Sequence, residues 1–158
     1  MTTRMKIAVA CYLAGGAVGL FMFGRYWSAE RFMPYHEIAS GTTWEALAPG
    51  VQLVILAVLK AAAAGFLVGG VVALMVIAPV VRGENWARWT ALVASMALLL
   101  PLLYLTLSMR LATGAPFPVG AASVPLVLAI AAFVAARAPA RTATGKASYD
   151  ASAQLRRG

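Results

Sequence analysis

The chain has 158 residues, of which 62% are hydrophobic and 11% are charged, and its mean hydropathy is +0.83. Soluble domains carry about 25% charged residues, so this composition excludes an ordinary soluble enzyme and indicates an integral membrane protein. The formal charge of +8 is scattered along the chain, without aromatic residues interleaved among the basic ones, so we expect no nucleic-acid partner.

Four apolar runs account for most of the sequence, and each is close to the about 20 residues that cross a bilayer core as a helix. The predicted fold is therefore all-α: a polytopic membrane protein whose four transmembrane helices form one bundle over residues 1–136. The predicted spans are residues 7–24, 51–80, 87–109 and 119–136. An aromatic stretch follows the first run where a small-residue cleavage site would stand, so we interpret this run as a retained span.

Lysine and arginine are distributed unevenly between the predicted loops. With the N-terminus in the cytoplasm, nine of them fall on the cytoplasmic side and three on the opposite side. The positive-inside rule then predicts that both termini are cytoplasmic, in a bacterial inner membrane. Residues 137–158 are predicted to form a flexible basic tail, and the cytoplasmic charge is expected to attract anionic lipid.

Small residues recur one helical turn apart in the first two predicted spans. The first span contains Gly15, Gly16 and Gly19, and the second contains Gly65 and Gly69. This spacing lets helix backbones approach closely in lipid. We predict that these glycines form the seam between the first two helices, with a homodimer face as the alternative.

Residues 25–50 form a long connection that contains three of the five acidic residues and the only histidine. Pro34 suits the first turn of a short helix and Gly41 suits its end. The stretch Thr42–Glu45 has the spacing of a capping box. We therefore predict a folded cap of short helices on the outer face, between the first two spans.

Lys60 is the only ionisable side chain well inside a predicted span. Its helix enters from the outer side, and helical side chains lean toward the helix N-terminus, so Lys60 should extend toward the cap. Three interpretations remain open. It is a snorkelling lysine, a buried ion-pair partner of Glu37 or Glu45, or a residue that binds a ligand or relays protons.

Other polar residues fall at the same predicted depth, because the third span runs outward and ends with polar side chains. We predict that these residues together line a polar cavity or belong to the cap. The candidates are His36, Glu37, Trp44, Glu45, Gln52, Lys60, Tyr104 and Arg110.

Several kinds of chemistry lack the residues they require. Cys11 is the only cysteine, which excludes a thiol–disulfide pair within one chain, and one histidine cannot supply bis-histidine haem ligation. No metal-site spacing, phosphate loop or Gly-x-Ser-x-Gly elbow is present. We therefore predict a non-enzymatic protein without catalytic residues or a metal. The sequence identifies no cofactor, and a bound lipid or quinone stays an open alternative.

The stretch from Phe32 to Gln52, followed by an apolar helix with a basic residue, resembles a group of small bacterial four-helix membrane proteins. The resemblance covers residues 32–60 and implies a membrane fold without implying an activity. In its number of spans the chain is also similar to DoxX-like proteins.

Two classes of function are compatible with these features. The favoured one is an accessory or scaffold subunit, whose partners are membrane lipids and either other membrane-protein subunits or a second copy of the chain. The alternative is a protein that binds or transports a lipophilic small molecule, such as a lipid, quinone or sterol, in an outer-leaflet cavity.

Overall fold

The computed structural model describes residues 1–137, which form helices and their connections without any strand. The helices are α1 (Thr3–Trp27), α2 (Pro34–Ser40), α3 (Pro49–Met75), α4 (Ile77–Val81), α5 (Asn85–Thr113) and α6 (Gly120–Ala135), and a 3₁₀ turn covers Trp44–Ala46. The predicted all-α fold is confirmed for this part of the chain. Apart from Arg137, the predicted tail lies outside the described residues.

Within residues 1–137, three helical stretches are long and apolar enough to cross a membrane: Thr3–Trp27, Pro49–Val81 and Asn85–Thr113. They support the assignment to membrane proteins. The fourth predicted span corresponds to α6, which is apolar but has only 16 residues. At 1.5 Å per residue α6 is about 24 Å long, shorter than the about 30 Å of the hydrocarbon core.

The second predicted span is not one continuous helix. α3 ends at Met75, and Val76 joins it to α4, which contains Pro79. A proline ring clashes with the carbonyl group four residues before it, and for Pro79 that carbonyl belongs to Met75. The break between the two helices therefore falls where the proline requires it.

The four long helices form a bundle in which α1 packs against α3 and α6, and α5 packs against α6 and more loosely against α3. At one end of the bundle, α1 begins, α4 turns into α5, and α6 ends. We call this the basic end, because Arg4, Lys6, Arg82, Arg88 and Arg137 lie there. The opposite end carries residues 28–48, the α1–α3 connection.

α1 and α3 approach each other most closely at glycines. A Cβ placed on Gly19 would lie 2.8 Å from the Cα of Gly70, and a Cβ on Gly16 would lie 2.6 Å from the Cδ2 of Leu74. Gly16 and Gly19 thus lie in the contact between the first two long helices, with Gly70 opposite them. Gly15 has no neighbouring atom within 4 Å of its Cβ position.

Gly65 and Gly69 lie on a different face of α3 from Gly70. Their Cβ positions are 3.2 and 2.8 Å from the side chain of Leu98 in α5. They therefore contribute to the contact with α5, not to the predicted seam with α1. Since neighbouring residues on a helix point about 100° apart, a shift of one position from Gly69 to Gly70 changes the partner helix.

The core at the basic end is built mainly from short side chains. Its buried residues are Ala8, Tyr12, Val76, Val80, Ala87, Ala91, Ala132 and Ala136. Alanine lets neighbouring helices pack closely, and the cavity at the centre of the bundle measures only about 40 Å³. That volume holds about one water molecule, so the helices are closely packed at the centre of the bundle.

Candidate functional site

Aromatic rings hold the α1–α3 connection against the bundle. Tyr35 in α2 packs on Phe117 in the loop between α5 and α6, with ring centroids 4.9 Å apart. The phenol oxygens of Tyr35 and Tyr26 lie 2.9 Å apart, within hydrogen-bonding distance. The buried ring of Phe32 meets Trp44 edge to face at 5.2 Å. The connection is thus attached to α1 and to the α5–α6 loop by large apolar surfaces.

α2 forms as its sequence predicts, and its geometry sets the orientation of His36. Pro34 occupies the first turn, and Gly41 ends the helix with a φ of 66°, in the left-handed region that glycine adopts without strain. The backbone N–H of Met33 donates to Nδ1 of His36 at 3.2 Å. Because Nδ1 is the acceptor, the proton of the neutral ring is on Nε2.

His36 is half-buried among aromatic rings. Its centroid lies 4.4 Å from that of Tyr35 and 5.7 Å from that of Phe117. Burial lowers the pKa of His36 below its ordinary value, since the charged form loses hydration. The ring is therefore neutral near pH 7, and within residues 1–137 its Nε2–H makes no hydrogen bond.

An apolar groove of about 520 Å³ lies between the α1–α3 connection and α3. One wall is a stripe of α3 residues with helical spacing, and the other comes from the connection, with Met109 of α5 at the edge. The lining residues are Phe32, His36, Ala39, Ser40, Leu47, Val51, Val54, Ile55, Val58, Leu59 and Met109. We refer to this space as the groove.

A second cavity of about 220 Å³ lies beside the groove, between α3 and α5. The two spaces share His36, Val58, Leu59 and Met109, and His36 is the polar residue among these four. The hydroxyl of Thr106, which also lines the cavity, donates to backbone carbonyl groups of its own helix at 3.0 Å. His36 thus places a free N–H donor where two apolar spaces meet.

The structure does not bring the predicted polar residues together in one cavity. Glu45 lies 3.8 Å from Arg31 at the surface, and the Nε2 of Gln52 donates to the backbone carbonyl of Trp44 at 2.8 Å. Glu37 is half-buried in α2 and forms no ion pair within the described residues. These contacts stabilise the connection locally, so only His36 of this predicted set lines the groove.

Lys60 does not pair with Glu37 or Glu45 in the part of the chain that the structure describes. It is exposed, and its Nζ lies 6.0 Å from the ring centroid of Trp27, a distance at the outer limit of a cation–π contact. Lys60 follows the buried Leu59. Because the next residue on a helix turns by about 100°, Lys60 points out of the bundle.

Tyr104 and Arg110 also lie outside the predicted cavity. Tyr104 is 72% exposed, and Arg110 is exposed near the end of α5. The face of α5 that lines the second cavity carries Leu102 and Thr106 instead. Tyr104 is two positions from each of these residues, or about 200° around the helix, so it lies on the opposite side.

The groove could not be predicted from the positions of polar residues, because its walls are mostly aliphatic. The sequence does contain one signal of the groove, the stripe Val51, Val54 and Val58. Their spacing of three and four residues places all three side chains on one face of a helix. The pair Phe32 and His36, four positions apart, marks the facing wall. Within residues 1–137 no three metal-binding side chains cluster.

The chain matches no known protein-family model, no curated protein and no solved structure. The resemblance of residues 32–60 to small bacterial membrane proteins therefore stays a prediction. The groove has to be interpreted from its own geometry and chemistry.

Proposed function

We propose that this is a four-span integral membrane protein that binds a lipophilic small molecule in the groove. The observation that supports the proposal is an apolar space of about 520 Å³ whose lining includes an imidazole N–H without a hydrogen-bond partner in residues 1–137. Small-molecule sites typically measure about 300–1,000 Å³, with mostly apolar walls and few polar groups. The ligand class is an apolar chain or ring that carries a carbonyl or hydroxyl oxygen.

In this proposal α6 is the fourth span. It packs against both α1 and α5, and Phe133 near its end contacts Trp89 near the start of α5, with centroids 4.7 Å apart. α6 therefore runs beside the two longer helices, and the apolar loop at Phe117 extends its reach. The basic end faces the cytoplasm by the positive-inside rule, so the α1–α3 connection becomes an outer cap.

The groove is open sideways, toward the lipid of the proposed membrane. Val54 and Val58, on its α3 wall, are each 62% exposed. A lipophilic molecule can therefore enter from the outer leaflet without crossing water. Burial of its apolar surface against valine and leucine side chains, together with dispersion contacts, provides the main attraction.

In this proposal His36 determines which way a ligand lies in the groove. Its Nε2–H can donate to a ligand oxygen, while Met33 fixes the ring through Nδ1. A ligand oxygen that accepts this hydrogen bond fixes the position of the ligand's polar group. We therefore assign His36 the recognition of the polar group and the valine stripe the recognition of the apolar part.

The proposal is tested by blocking the groove. Ala39 lines it, whereas Ala57 of α3 is exposed and lies outside its lining. Native mass spectrometry of the purified protein with an added decyl-substituted benzoquinone should show a bound adduct. Ala39→Phe should abolish that adduct, and Ala57→Phe should retain it. His36→Leu should weaken binding by about tenfold, the cost of one hydrogen bond.

Equal adduct formation by the wild type, Ala39→Phe and Ala57→Phe would contradict binding in the groove. Equal binding by His36→Leu alone would remove the histidine from the recognition model and leave the apolar site in place.

A role as an accessory subunit is the second hypothesis, and the exposed apolar surface of the bundle is the observation that favours it. Large exposed apolar residues occur on α1, α3, α5 and α6, as expected for helices in contact with lipid or with partner helices. Stoichiometric co-purification of other membrane subunits would support this second hypothesis.

A further inference from the structure

A cavity of about 330 Å³ at the basic end brings two arginines to one aromatic ring. Arg88 of α5 and Arg137, after the end of α6, both line it. Their guanidinium carbons lie 4.8 and 5.8 Å from the ring centroid of Phe133. The cavity is far from the groove, at the opposite end of the bundle, so its interpretation rests on the proposed orientation in the membrane and not on ligand binding in the groove.

The positive charge at this cavity is not neutralised within residues 1–137. The acid in its lining, Glu84, is already engaged by the guanidinium of Arg82 and by the indole N–H of Trp86, which donates at 2.7 Å. No ion pair involves Arg88 or Arg137 in this part of the chain. The Nε of Arg88 is also buried and lacks a hydrogen-bond partner there. A partly buried cation without a counter-charge favours binding of an anion.

Phe133 lies beside both guanidinium groups. Its other contact is Trp89, whose ring centroid is 4.7 Å away, so the phenyl ring is itself fixed by packing. A guanidinium group stacked on an aromatic face keeps its N–H groups available at its edge. Because both arginines also line the cavity, an acceptor-rich group bound there, between α5 and the end of α6, has two guanidinium groups in its walls.

We propose that this cavity binds the phosphate group of an anionic phospholipid. Arginine binds phosphate oxygens in a bidentate manner, and basic pockets between helices at the cytoplasmic face are suited to anionic head groups. Trp86 and Trp89, which are next in sequence to the lining residues Asn85 and Arg88, are exposed, and tryptophan favours the membrane–water interface. Met5, Val80 and Ala136 supply an apolar side to the same cavity, against which the start of an acyl chain can lie.

The experiment measures thermal unfolding of the full-length protein in a neutral detergent. Short-chain phosphatidylglycerol, phosphatidylcholine and sodium phosphate are added separately at matched concentrations. Phosphatidylglycerol should raise Tm by at least twice the shift produced by phosphatidylcholine, and sodium phosphate should have little effect. Ligand binding to the folded state raises Tm in this way.

Arginine variants locate the effect. Arg88→Gln and Arg137→Gln should each remove more than half of the shift produced by phosphatidylglycerol. Arg110→Gln, with the same charge change at the other end of the bundle, should retain the whole shift. If Arg88→Gln does not fold, the exposed Arg137 still provides the test.

Three results would overturn the proposal. The first is an equal shift with phosphatidylglycerol and phosphatidylcholine. The second is an equal shift with sodium phosphate alone, which would assign the site to a free anion and not to a lipid. The third is an unchanged shift in both Arg88→Gln and Arg137→Gln.

Discussion

The two ends of the bundle differ in packing. At the basic end, alanine and valine fill the core, and the fully buried residues Ala8, Ala87 and Ala132 lie in the contacts between helices. At the other end, a groove of about 520 Å³ lies between α3 and the α1–α3 connection, and a cavity of about 220 Å³, lined in part by aromatic rings, lies between α3 and α5. The basic end also has a space of about 330 Å³, but charged and polar residues form part of its lining, whereas the spaces at the other end are lined mainly by apolar side chains.

The ends also differ in charge. The basic end has five basic residues and one acid, Glu84, within residues 1–137. The other end has four basic residues, Arg25, Arg31, Lys60 and Arg110, and three acids, Glu30, Glu37 and Glu45. The basic end therefore carries excess positive charge, whereas the end with the α1–α3 connection is nearly neutral and has an apolar interior. This difference suggests that the two ends bind chemically different molecules.

The largest effect on stability is expected from Phe117, whose ring packs against the α1–α3 connection. Phe117 is 7% exposed and contacts both Tyr35 and His36. Phe117→Ala should lower the free energy of unfolding by about 3 kcal/mol, because a buried ring is replaced by a cavity. Unfolding in a detergent series measures this. Phe21→Ala is the control, because Phe21 is 68% exposed, and it should change stability little.

If Phe117→Ala and Phe21→Ala are equally stable, the aromatic rings do not hold the connection, and the contrast between the two ends loses its structural basis.

A smaller effect is expected at the seam between α1 and α3. Gly19→Ala places a Cβ 2.8 Å from the Cα of Gly70, and backbone atoms cannot move aside as a flexible side chain can. Overpacking of this kind costs about 1–3 kcal/mol. Gly15→Ala is a matched control on the same helix, since nothing lies within 4 Å of its Cβ position. Thermal melting of both variants in one detergent compares them.

A Tm of Gly19→Ala at or above that of Gly15→Ala would show that the two helices are not in close contact at Gly19. The close packing of α1 against α3 at the centre of the bundle would then be incorrect.

The sequence predicted where helices occur better than which way their residues face. Pro34 and Gly41 located α2, because proline and glycine have strong local conformational preferences. The partners of Gly69 and Lys60 could not be predicted, since an error of one residue rotates a helical position by about 100°. The side-by-side order of helices, which decides that Gly69 faces α5, is a tertiary property.

The groove was harder to predict than the helices for a related reason. Polar residues are a visible signal for a site, but here the space is bounded by Val51, Val54 and Val58, which also suit a lipid-facing surface. The structure adds that the α1–α3 connection lies opposite the stripe and forms the second wall of the groove. His36 was a predicted site residue because it is the only histidine in the sequence. Its position between the groove and the second cavity could be seen only in the folded structure.

The smallest effect is expected at Lys60. Its ammonium group is exposed and lies 6.0 Å from the centroid of Trp27, so Lys60→Met should change the free energy of unfolding by less than about 1 kcal/mol. Glu45→Gln should have a similarly small effect, because Glu45 and Arg31 form an exposed pair with side chains 70% and 66% accessible.

If Lys60 and Glu45 are independent, the change in the free energy of unfolding of the double variant should equal the sum of the changes of the single variants within about 0.5 kcal/mol. Unfolding of all four proteins under one condition gives the coupling energy. A coupling well above that margin would mean that Lys60 and Glu45 interact in the membrane, and that ion pairing, in addition to aromatic packing, holds the connection.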